Sequence, residues 1–394
     1  MRPVNSPDKY PGAVRVKRIL LDGMAIRPGG RGVARALRKV FPLLVARTDG
    51  AEYVVVTSAY GREALSHLPN VLTAPLMPMS LWEQVGLPTY ARRVKATAVY
   101  SLAECGPLWG PPVVLHIPED PHVRWTFTPV NGPKEYLRRT YQRAAMRRSV
   151  LRCRSLITCS HSVANQLADR FGDALPPTEV VPLGVDYTTF HPGETKPKED
   201  LVFHLGSEAR DQSVLVVKAY AHALQLGASL PDLAIAGNLG RYAQAVIHEA
   251  KRLHLEHRVQ LLGRISDEQL RRCYADAALC VQPALYEGFG LQPLEALACG
   301  AALIVSTTPA VDEVVEDAAV VVQPHSADAL GTEMADLWTN NARRCQLRHK
   351  GQQRARRYPW EATADHLHAL LQTFATGDHL PNDATDLPTS TRNV

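Results

Sequence analysis

Long apolar runs and paired cysteines are both lacking in this 394-residue chain. The longest apolar stretches, such as Ala301–Val305, have the length of a strand, far below the roughly 18 residues of a membrane-spanning helix. The first residues (MRPVNSPDKYPG) are polar and lack the apolar segment of a secretory signal, so we expect no secretion. The seven cysteines are odd in number and include no CxxC pair, which predicts reduced thiols in a cytoplasmic protein.

Several catalytic motifs are also absent. The chain contains no HExxH, no zinc-type Cys/His spacing and no Asp-x-Asp pair, so we expect neither a metal ion nor another cofactor. The missing GxSxG motif excludes a serine-hydrolase elbow, and the missing GxxxxGK[ST] and GxGxxG motifs exclude a P-loop enzyme and a typical NAD-dependent dehydrogenase. A net charge of +5 permits anionic ligands but is too small to indicate a nucleic-acid partner.

The composition is that of a globular protein, with 45% hydrophobic and 21% charged residues. The length exceeds the roughly 250–300 residues at which a single hydrophobic core stops growing, which predicts two domains. Short apolar strands alternate with amphipathic helices, a pattern typical of α/β architecture with parallel sheets. A polar, proline-rich segment, Asp186–Asp200, interrupts this alternation and is predicted to link the two domains.

Each half of the chain has its own series of predicted elements. Before the linker, a helix is predicted over Val33–Leu44, with strands at Val16–Asp22, Tyr53–Thr57, Ala98–Ser101, Val113–Ile117, Ser155–Cys159 and Thr178–Val181. After the linker, strands are predicted at Leu201–Leu205, Leu233–Ala236, Val259–Leu262, Ala278–Gln282 and Ala301–Ser306. The helices between and after them are predicted over Ser213–Leu226, Arg241–Leu253, Asp267–Ala275, Leu291–Cys299 and Trp360–Phe374. Two such doubly wound, Rossmann-like domains face each other across a cleft, and parallel sheets bind ligands at the carboxyl ends of their strands.

The most informative segment is Tyr286–Gly300 (YEGFGLQPLEALACG), which has the pattern of a loop followed by a helix. Gly288 and Gly290 allow backbone N–H groups to approach a ligand closely, and the positive end of the helix dipole favours a diphosphate or a polar sugar there. Glu287 in the loop and Glu295 one turn into the helix are two carboxylates at a spacing that suits hydroxyl donors, such as those of a sugar ring and a ribose.

This segment resembles the E-x7-E signature of retaining glycosyltransferases of family 4, which have the GT-B fold. The resemblance extends from Arg18 to Phe374 through further short matches in the family's order, such as LWEQ at 81–84, GVD at 184–186 and DLAIAG at 232–237. It implies an N-terminal acceptor-binding domain over residues 1–190 and a nucleotide-sugar-binding domain over residues 191–358. It also implies a helix over residues 359–375 that crosses back to the first domain, and we expect the polar tail over residues 376–394 to be disordered.

The resemblance further implies a role for each matching residue of the second domain. Glu295 corresponds to the glutamate that binds the nucleotide ribose, and Glu287 to the glutamate that contacts donor-sugar hydroxyls. Arg264, after the Leu-Leu-Gly strand, is placed to meet the base. The other residues predicted to bind the donor, mostly through their backbone, are Gly206, Gly288, Phe289, Gly290 and Leu291.

The phosphate-binding loop departs from the family pattern. Related enzymes carry an arginine and a lysine there, whereas this chain has Arg210 followed by Asp211. An aspartate about 4 Å from a phosphate costs on the order of 4 kcal/mol per charge pair at an effective dielectric of 20, which argues against a direct contact. We expect Asp211 to turn outward and Arg210 to occupy the lysine's place as a catalytic cation, with Arg27 or Arg31 as a second cation.

Two features of the first domain are candidates for the same site. The turn Gly29–Gly32 is typical of a strand-to-helix connection, but Gly30 and Gly32 also let the backbone approach the diphosphate or the acceptor when the cleft closes. His116 follows a Val-Val-Leu strand, and the resemblance places it at the donor sugar as a catalytic residue. The aspartate that commonly follows this histidine in the family is replaced here by Ile117.

The segment Asn131–Arg154 carries eight Lys or Arg residues against one Glu and is predicted to form a helix with a basic face. Such a helix is either simply solvated or touches an anionic acceptor or, peripherally, the inner face of a membrane. Trp82 and Trp125 either pack in the core, the commoner use of tryptophan, or stack on the acceptor.

The predicted function is transfer of a hexose-type sugar from a UDP- or GDP-linked donor to an acceptor hydroxyl, without metal and with retention at the anomeric carbon. The acceptor class stays open among glycans, glycolipids and small molecules. One alternative is a catalytically weak sugar-nucleotide-binding protein that needs a partner, which Asp211 favours. Another is a phosphorylase or sucrose-synthase-like enzyme on the same fold. With ten lysines against 34 arginines and none suitably placed, a pyridoxal-dependent phosphorylase is not expected.

Overall fold

The structure, a computed structural model, describes residues 17–30, 32–128, 130, 132–153, 155–194 and 196–376. Within these ranges the chain forms two parallel β-sheets, one before and one after the linker segment. We call the part built on each sheet the first and the second domain. The predicted α/β class with two doubly wound sheets is confirmed, whereas the domain boundaries stay predictions. The tail from residue 377 onward, expected to be disordered, lies outside the described residues.

The first sheet has buried side chains on both faces. Its strands are β1 Lys17–Asp22, β2 Ala51–Thr57, β3 Val71–Thr73, β4 Ala98–Leu102, β5 Val113–Ile117, β6 Ser155–Thr158 and β7 Thr178–Val180, in the spatial order β3-β2-β1-β4-β5-β6-β7. Leu20 of β1 packs into the apolar cluster around Trp82, whereas its neighbours Ile19 and Leu21 pack into the cluster on the opposite face. Because both faces are covered, these strands are nearly continuous apolar runs.

The second sheet repeats this design. Its strands are β8 Leu201–Leu205, β9 Asp232–Ala236, β10 Val259–Gly263, β11 Leu279–Gln282, β12 Leu303–Ser306 and β13 Val320–Val322, in the spatial order β10-β9-β8-β11-β12-β13. The strand order reverses between β8 and β11, as it does between β1 and β4 in the first sheet. Such reversal points open a crevice at the carboxyl ends of the strands, so they determine where a ligand site can form.

Helices connect the strands in both domains. In the first domain they are α1 Val33–Val45, α2 Ala59–Ala64, α3 Met79–Leu81, α4 Leu87–Arg93, α5 Pro121–Arg124, α6 Pro133–Arg152 and α7 His161–Phe171. In the second they are α8 Ser213–Gln225, α9 Ala243–Arg252, α10 Asp267–Asp276, α11 Leu291–Ala298, α12 Pro309–Val315, α13 Ala327–Thr339 and α14 Asn341–Ala355, and the last helix is α15 Trp360–Thr376. A π-helical turn at Trp82–Gly86 joins α3 to α4, and 3₁₀ turns lie at Trp125–Phe127, Gly172–Ala174, Ala209–Asp211 and Gly240–Tyr242.

Helix α15 returns to the first domain, as predicted. It packs on α1 and β1, and the His368 ring is hydrogen-bonded to the Tyr53 hydroxyl over 2.6 Å. At the crossing point, a Cβ atom added to Gly184 would lie 2.6 Å from the backbone nitrogen of Trp360. A glycine is therefore required there, because any side chain would separate the two segments.

Most predicted element ends agree with the structure within one to three residues, and the differences have local causes. The helix predicted from Arg241 begins at Ala243, because the preceding residues form a 3₁₀ turn. Strand β3 was not predicted because it has three residues, of which only Val71 is buried. Helix α14 was not predicted because its sequence is dominated by Arg, Gln and His, without a clear apolar period.

Candidate active site

A cavity of about 280 Å³ opens between the carboxyl ends of the two sheets. One wall is formed by first-domain residues at the end of β4 and after β1, β5, β6 and β7. The other is formed by the loops after β8 and β11 and by the first turns of α11. Its charged lining residues are Arg35, Glu119, Glu208, Arg210, Glu287 and Glu295. Four carboxyl groups and two guanidinium groups therefore face a single space, and they come from both domains.

Glu287 lies in the loop between β11 and α11, partly exposed toward the cavity. Desolvation by the surrounding walls raises the pKa of its carboxyl group to about 7, against the opposing attraction of the Arg210 guanidinium. The negative charges of Asp211, Glu119 and Glu208 raise it further. Near neutral pH this carboxyl group is therefore poised between its neutral and its ionised form.

Arg210 lies in the 3₁₀ turn after β8 and points into the cavity. Its Nη1 donates a hydrogen bond to Glu119 over 2.8 Å, and its Nε is 3.2 Å from a Glu208 oxygen. Burial alone would lower the pKa of this guanidinium, but the carboxylates around it, Glu287 foremost, outweigh burial and raise it. Arg210 therefore stays positively charged at every accessible pH.

Asp211 does not turn outward, so that prediction is wrong. Its side chain is buried, and its Oδ2 accepts hydrogen bonds from the backbone N–H groups of Ser207 and Glu208 over 2.6 and 2.8 Å. The short 3₁₀ turn brings the carboxylate back onto the start of its own loop, where it caps two amides that would otherwise lack partners. Asp211 is not among the residues that line the cavity.

Glu295 lies one turn into α11, and its carboxylate is paired with Arg35 of the first domain. The same guanidinium also pairs with Asp267 and lies over the Phe190 ring, 4.9 Å from its centroid. Burial lowers the pKa of Arg35, but Glu295 and Asp267 outweigh burial and leave it raised. The second cation at this site is therefore Arg35. Arg27 is exposed and does not line the cavity, and Arg31 lies outside the described residues.

The two glycines of the 287–291 loop are required for different causes, one for close packing and one for its backbone conformation. A Cβ atom added to Gly288 would lie 2.0 Å from the carbonyl oxygen of Pro118, so this residue permits close contact between the two domains. Gly290 has a φ angle of 104° and precedes the first residue of α11, Leu291. Gly288, Phe289, Gly290 and Leu291 all line the cavity, although the buried Phe289 ring packs against Tyr358 with the two ring centroids 5.9 Å apart.

Several predicted site residues lie apart from the cavity. His116 is fully buried, its Nδ1 is hydrogen-bonded to the Tyr100 hydroxyl over 2.9 Å, and burial lowers the pKa of the imidazole to about 3. Arg264 is exposed beside the turn at Gly29, and Gly206 lies at the end of β8. The described lining includes none of these three, and of the two turn glycines it includes Gly32 but not Gly30.

The two tryptophans singled out in the sequence lie in different surroundings, Trp82 in the core and Trp125 at a cavity. Trp82 is a core residue whose ring nitrogen donates a hydrogen bond to Asp22 over 3.0 Å, so stacking on an acceptor is excluded for it. Trp125 is buried between His122 and the guanidinium groups of Arg139 and Arg143. Trp125 lines a second cavity, of about 360 Å³, that shares Ser207 and Glu208 with the first.

Glu119 and Arg35 are two charged residues of the described cavity lining that the sequence did not reveal. Each lies in the first domain and is paired with a residue of the second, 91 positions away for Glu119–Arg210 and 260 positions away for Arg35–Glu295. The signal available for Glu119 was its position two residues after β5, at the carboxyl edge where parallel sheets bind ligands.

Two further observations concern the described ranges as a whole. Nowhere in them do three or more His, Cys, Asp or Glu side chains form a group arranged to bind a metal ion. No helix in the same ranges combines the length and the apolar character needed to cross a bilayer.

Two family models match this chain. Glycosyltransferase Family 4 matches residues 30–189, and Glycosyl transferases group 1 matches residues 191–357, so that together they cover most of the described residues. The chain belongs to the family 4, group 1 glycosyltransferases. The predicted membership of this family is thereby confirmed.

Named relatives of this glycosyltransferase share parts of its sequence. O-antigen chain mannosyltransferase RfbU of Salmonella typhimurium is 26% identical over 50% of this chain and 54% of its own length. A GDP-mannose-dependent phosphatidylinositol dimannoside mannosyltransferase of Mycobacterium tuberculosis is 28% identical over 56% of this chain. O-antigen chain mannosyltransferase B of Escherichia coli is 35% identical over 26% of the chain. The chain spans 27 to 58% of the length of these three relatives.

Solved structures share the fold of this glycosyltransferase over nearly its whole length. Sucrose-phosphate synthase from Thermosynechococcus elongatus has a TM-score of 0.73 at 17% identity, covering 92% of this chain and all of that one. HepE from Anabaena, in complex with UDP and glucose, has a TM-score of 0.68 at 16% identity over 91% of this chain and all of that one. The expected GT-B fold is confirmed by these likenesses.

Proposed function

We propose that this glycosyltransferase moves a hexose-type sugar from a UDP- or GDP-linked donor to an acceptor hydroxyl, with retention at the anomeric carbon. The observation that carries the proposal is the arrangement of Glu287, Glu295 and Arg210 around one cavity between the two sheets. Two neighbouring carboxylates suit the hydroxyl groups of a sugar and a ribose, and an adjacent guanidinium suits a diphosphate. The GDP-mannose dependence named for one relative supports a nucleotide-linked hexose as the donor.

The proposed roles follow from the chemistry of each side chain. Ionised Glu287 accepts hydrogen bonds from donor-sugar hydroxyls and positions the ring, without attacking the anomeric carbon. Glu295 accepts from the ribose while it keeps its contact with Arg35, and Arg264 is assigned to the base. Backbone N–H groups at Gly290 and Leu291, at the start of α11, face the polar part of the donor.

Departure of the diphosphate requires positive charge. Breaking the bond between the anomeric carbon and its oxygen places positive charge on the sugar and negative charge on the leaving diphosphate. Arg210, Arg35 and the N-terminus of α11 are the positive groups assigned to stabilise it, so we propose that no metal ion is needed. A leaving phosphate oxygen takes the proton of the acceptor hydroxyl, which attacks from the face that the diphosphate leaves.

Thermal unfolding with nucleotides tests the proposed donor class. At about a hundred times its Kd, a ligand that binds only the folded chain stabilises it by roughly 2.7 kcal/mol, which is readily measured. We expect UDP or GDP and its sugar conjugates to stabilise the chain equally with and without Mg²⁺, and ADP and dTDP to have little effect. The absence of stabilisation by every nucleotide would contradict the proposal.

We also propose that the outer face of α6 binds anionic membranes peripherally. Leu137 and Leu151 lie on one side of this helix with exposed fractions of 70% and 47%, among exposed arginines such as Arg138, Arg147 and Arg148. Exposed apolar side chains within a basic helix favour an anionic lipid surface. We expect co-sedimentation with phosphatidylglycerol vesicles, but not with phosphatidylcholine vesicles, and loss of binding at high salt. Equal sedimentation with both lipids would contradict this proposal.

A further inference from the structure

A row of alternating charges runs from the first domain into the cavity. Arg124 Nη2 lies 2.7 Å from an oxygen of Glu104, and Nη1 of the same guanidinium contacts Oε1 of Glu119. Oε2 of Glu119 accepts the hydrogen bond from Arg210 Nη1. The carboxylate of Glu119 is therefore held between two guanidinium groups, one from each domain, and both its oxygens are used.

The position of Glu119 is also fixed through its backbone. Pro118, the residue before it, contacts Gly288 so closely that a Cβ atom added to that glycine would also lie 2.8 Å from the Cβ atom of Glu119. The carbonyl oxygen of Gly288 accepts a hydrogen bond from the Ser160 hydroxyl over 2.7 Å. Burial would raise the pKa of Glu119, but Arg210 and Arg124 outweigh it and hold the pKa below its ordinary value, so the group is ionised.

This arrangement determines how Arg210 faces the cavity. A guanidinium group is planar, so holding one terminal nitrogen restricts the direction of the other. Glu119 accepts a hydrogen bond from Nη1, and Nε lies 3.2 Å from Glu208 without a hydrogen bond, whereas no hydrogen bond or ion pair of Nη2 is found among the residues that the structure describes. Nη2 is thus the nitrogen available to an oxygen of the diphosphate.

We propose that Glu119 is a positioning residue for glycosyl transfer, which keeps Nη2 of Arg210 directed at the leaving diphosphate when the two domains are closed. This inference rests on the function proposed above. The carboxyl group of Glu287 lines the same cavity as Arg210 and also attracts it. Without Glu119 the guanidinium turns toward Glu287, which removes a cation from the diphosphate and a free carboxylate from the donor sugar.

A contact that merely holds the domains together would behave differently, and Glu313 provides the matched control. Its carboxylate, from α12 of the second domain, accepts hydrogen bonds from the backbone N–H groups of His161 and Ser162 in the first domain over 2.9 and 2.7 Å. It therefore joins the same two domains without touching Arg210. Glu313→Gln weakens domain contact alone, whereas Glu119→Gln also releases Arg210.

The test compares Glu119→Gln and Glu313→Gln by kcat, donor KM and the pH profile of kcat/KM. For Glu119→Gln we expect kcat to fall about 10- to 100-fold, as for a misplaced catalytic group. The donor KM changes much less, because the loss of one negative charge from the cavity offsets the weaker contacts of Arg210 and Glu287 with the donor. The acid limb of the profile moves to lower pH, because Glu287 loses a negative neighbour. Glu313→Gln keeps the wild-type acid limb, and any effect falls on KM.

Glu119→Asp is the second variant, since it keeps the charge but is too short to reach Arg124 and Arg210 together. We expect its kcat to fall while its acid limb stays near that of the wild type. A wild-type kcat in Glu119→Gln, or a pattern equal to that of Glu313→Gln, would overturn the inference.

Carboxyl ¹³C NMR of the free protein gives a readout without turnover. The titration midpoint of the Glu287 carboxyl group is expected to fall in Glu119→Gln only. An unchanged midpoint overturns the inference, whereas a wild type that transfers no sugar counts against the proposed function.

Discussion

Replacing Arg210 by alanine is expected to lower kcat for sugar transfer by about 10²- to 10³-fold, the usual effect of removing one group that stabilises developing charge. Arg210 is the only guanidinium in the described cavity lining that comes from the loop after β8, the predicted phosphate loop. Its removal also leaves Glu119 and Glu287 without their shared cation, so the cavity becomes more negative and donor affinity falls as well. Initial rates of nucleoside diphosphate release give both effects.

Two variants control for the loss of an ion-paired arginine. Arg258 of the second domain forms an ion pair with Asp232 over 2.7 Å, away from the cavity, and Arg258→Ala is expected to leave kcat within about twofold. Arg210→Lys keeps the charge but cannot engage Glu119 and the donor through a planar group, so an intermediate rate is expected. Equal rates for Arg210→Ala and the wild type would exclude Arg210 from the reaction.

Replacing Glu287 by glutamine is expected to reduce kcat by about 10²- to 10³-fold while it stabilises the free protein at alkaline pH. Glutamine offers an amide where the donor sugar needs an acceptor-only carboxylate, so the ring is less well held. Glu52, a half-buried glutamate outside the cavity that pairs with Arg18 over 2.6 Å, serves as the control for loss of a paired carboxylate, and Glu52→Gln is expected to keep the wild-type kcat. Full turnover by Glu287→Gln would show that its carboxylate does not position the sugar.

The stability effect has a definite sign. The pKa of Glu287 is raised in the folded chain to about 7, above its value of 4.5 in a free side chain, so the folded state binds its proton more tightly than the unfolded state does. The resulting stabilisation is complete below about pH 4.5 and is lost as the pH rises through 7. At about pH 8 we therefore expect the free energy of unfolding of Glu287→Gln to exceed that of the wild type by on the order of 1 to 3 kcal/mol, so that the variant is the more stable protein. Near pH 4.5 the two should be equally stable, and denaturant unfolding at both pH values measures the difference.

The strands could be predicted because each buried strand is a short, nearly continuous apolar segment of the sequence. Val113–Ile117 and Leu201–Leu205 are segments of strand length that are apolar except for one histidine each, and the structure has both at the predicted bounds. The loop–helix unit that carries Glu287 and Glu295 was likewise visible, because its glycines and its helix start lie within one short segment. Local sequence thus predicted the elements and the two carboxylates that share a cavity.

Contacts between the domains could not be predicted in the same way. Glu119 and Arg35 belong to the cavity only because the cleft brings each onto a residue of the other domain. Asp211 was misplaced because its direction depends on a 3₁₀ turn that lets its carboxylate cap Ser207 and Glu208. His116 precedes the last residue of β5, so its side chain still lies within the sheet layer and meets Tyr100.

The structure of the Asp211 loop bears on the alternative of a weak, partner-dependent protein. That alternative depends on an aspartate close to the diphosphate. The Asp211 carboxylate instead accepts hydrogen bonds from two backbone N–H groups of its own loop. Arg210 remains in the cavity, where a phosphate would need it. The phosphorylase-like alternative differs in its co-substrate, because it requires inorganic phosphate or a free nucleotide.

Turnover by the purified chain alone is the most direct test of the central claim. UDP- and GDP-linked hexoses are supplied with simple glycan, lipid and small-molecule acceptors, without partner protein, phosphate or metal ion, and the anomeric configuration of the product is read by ¹H NMR. We predict release of the nucleoside diphosphate and a product that keeps the anomeric configuration of the donor. An inverted product, or turnover that appears only with added phosphate or a partner protein, would contradict it.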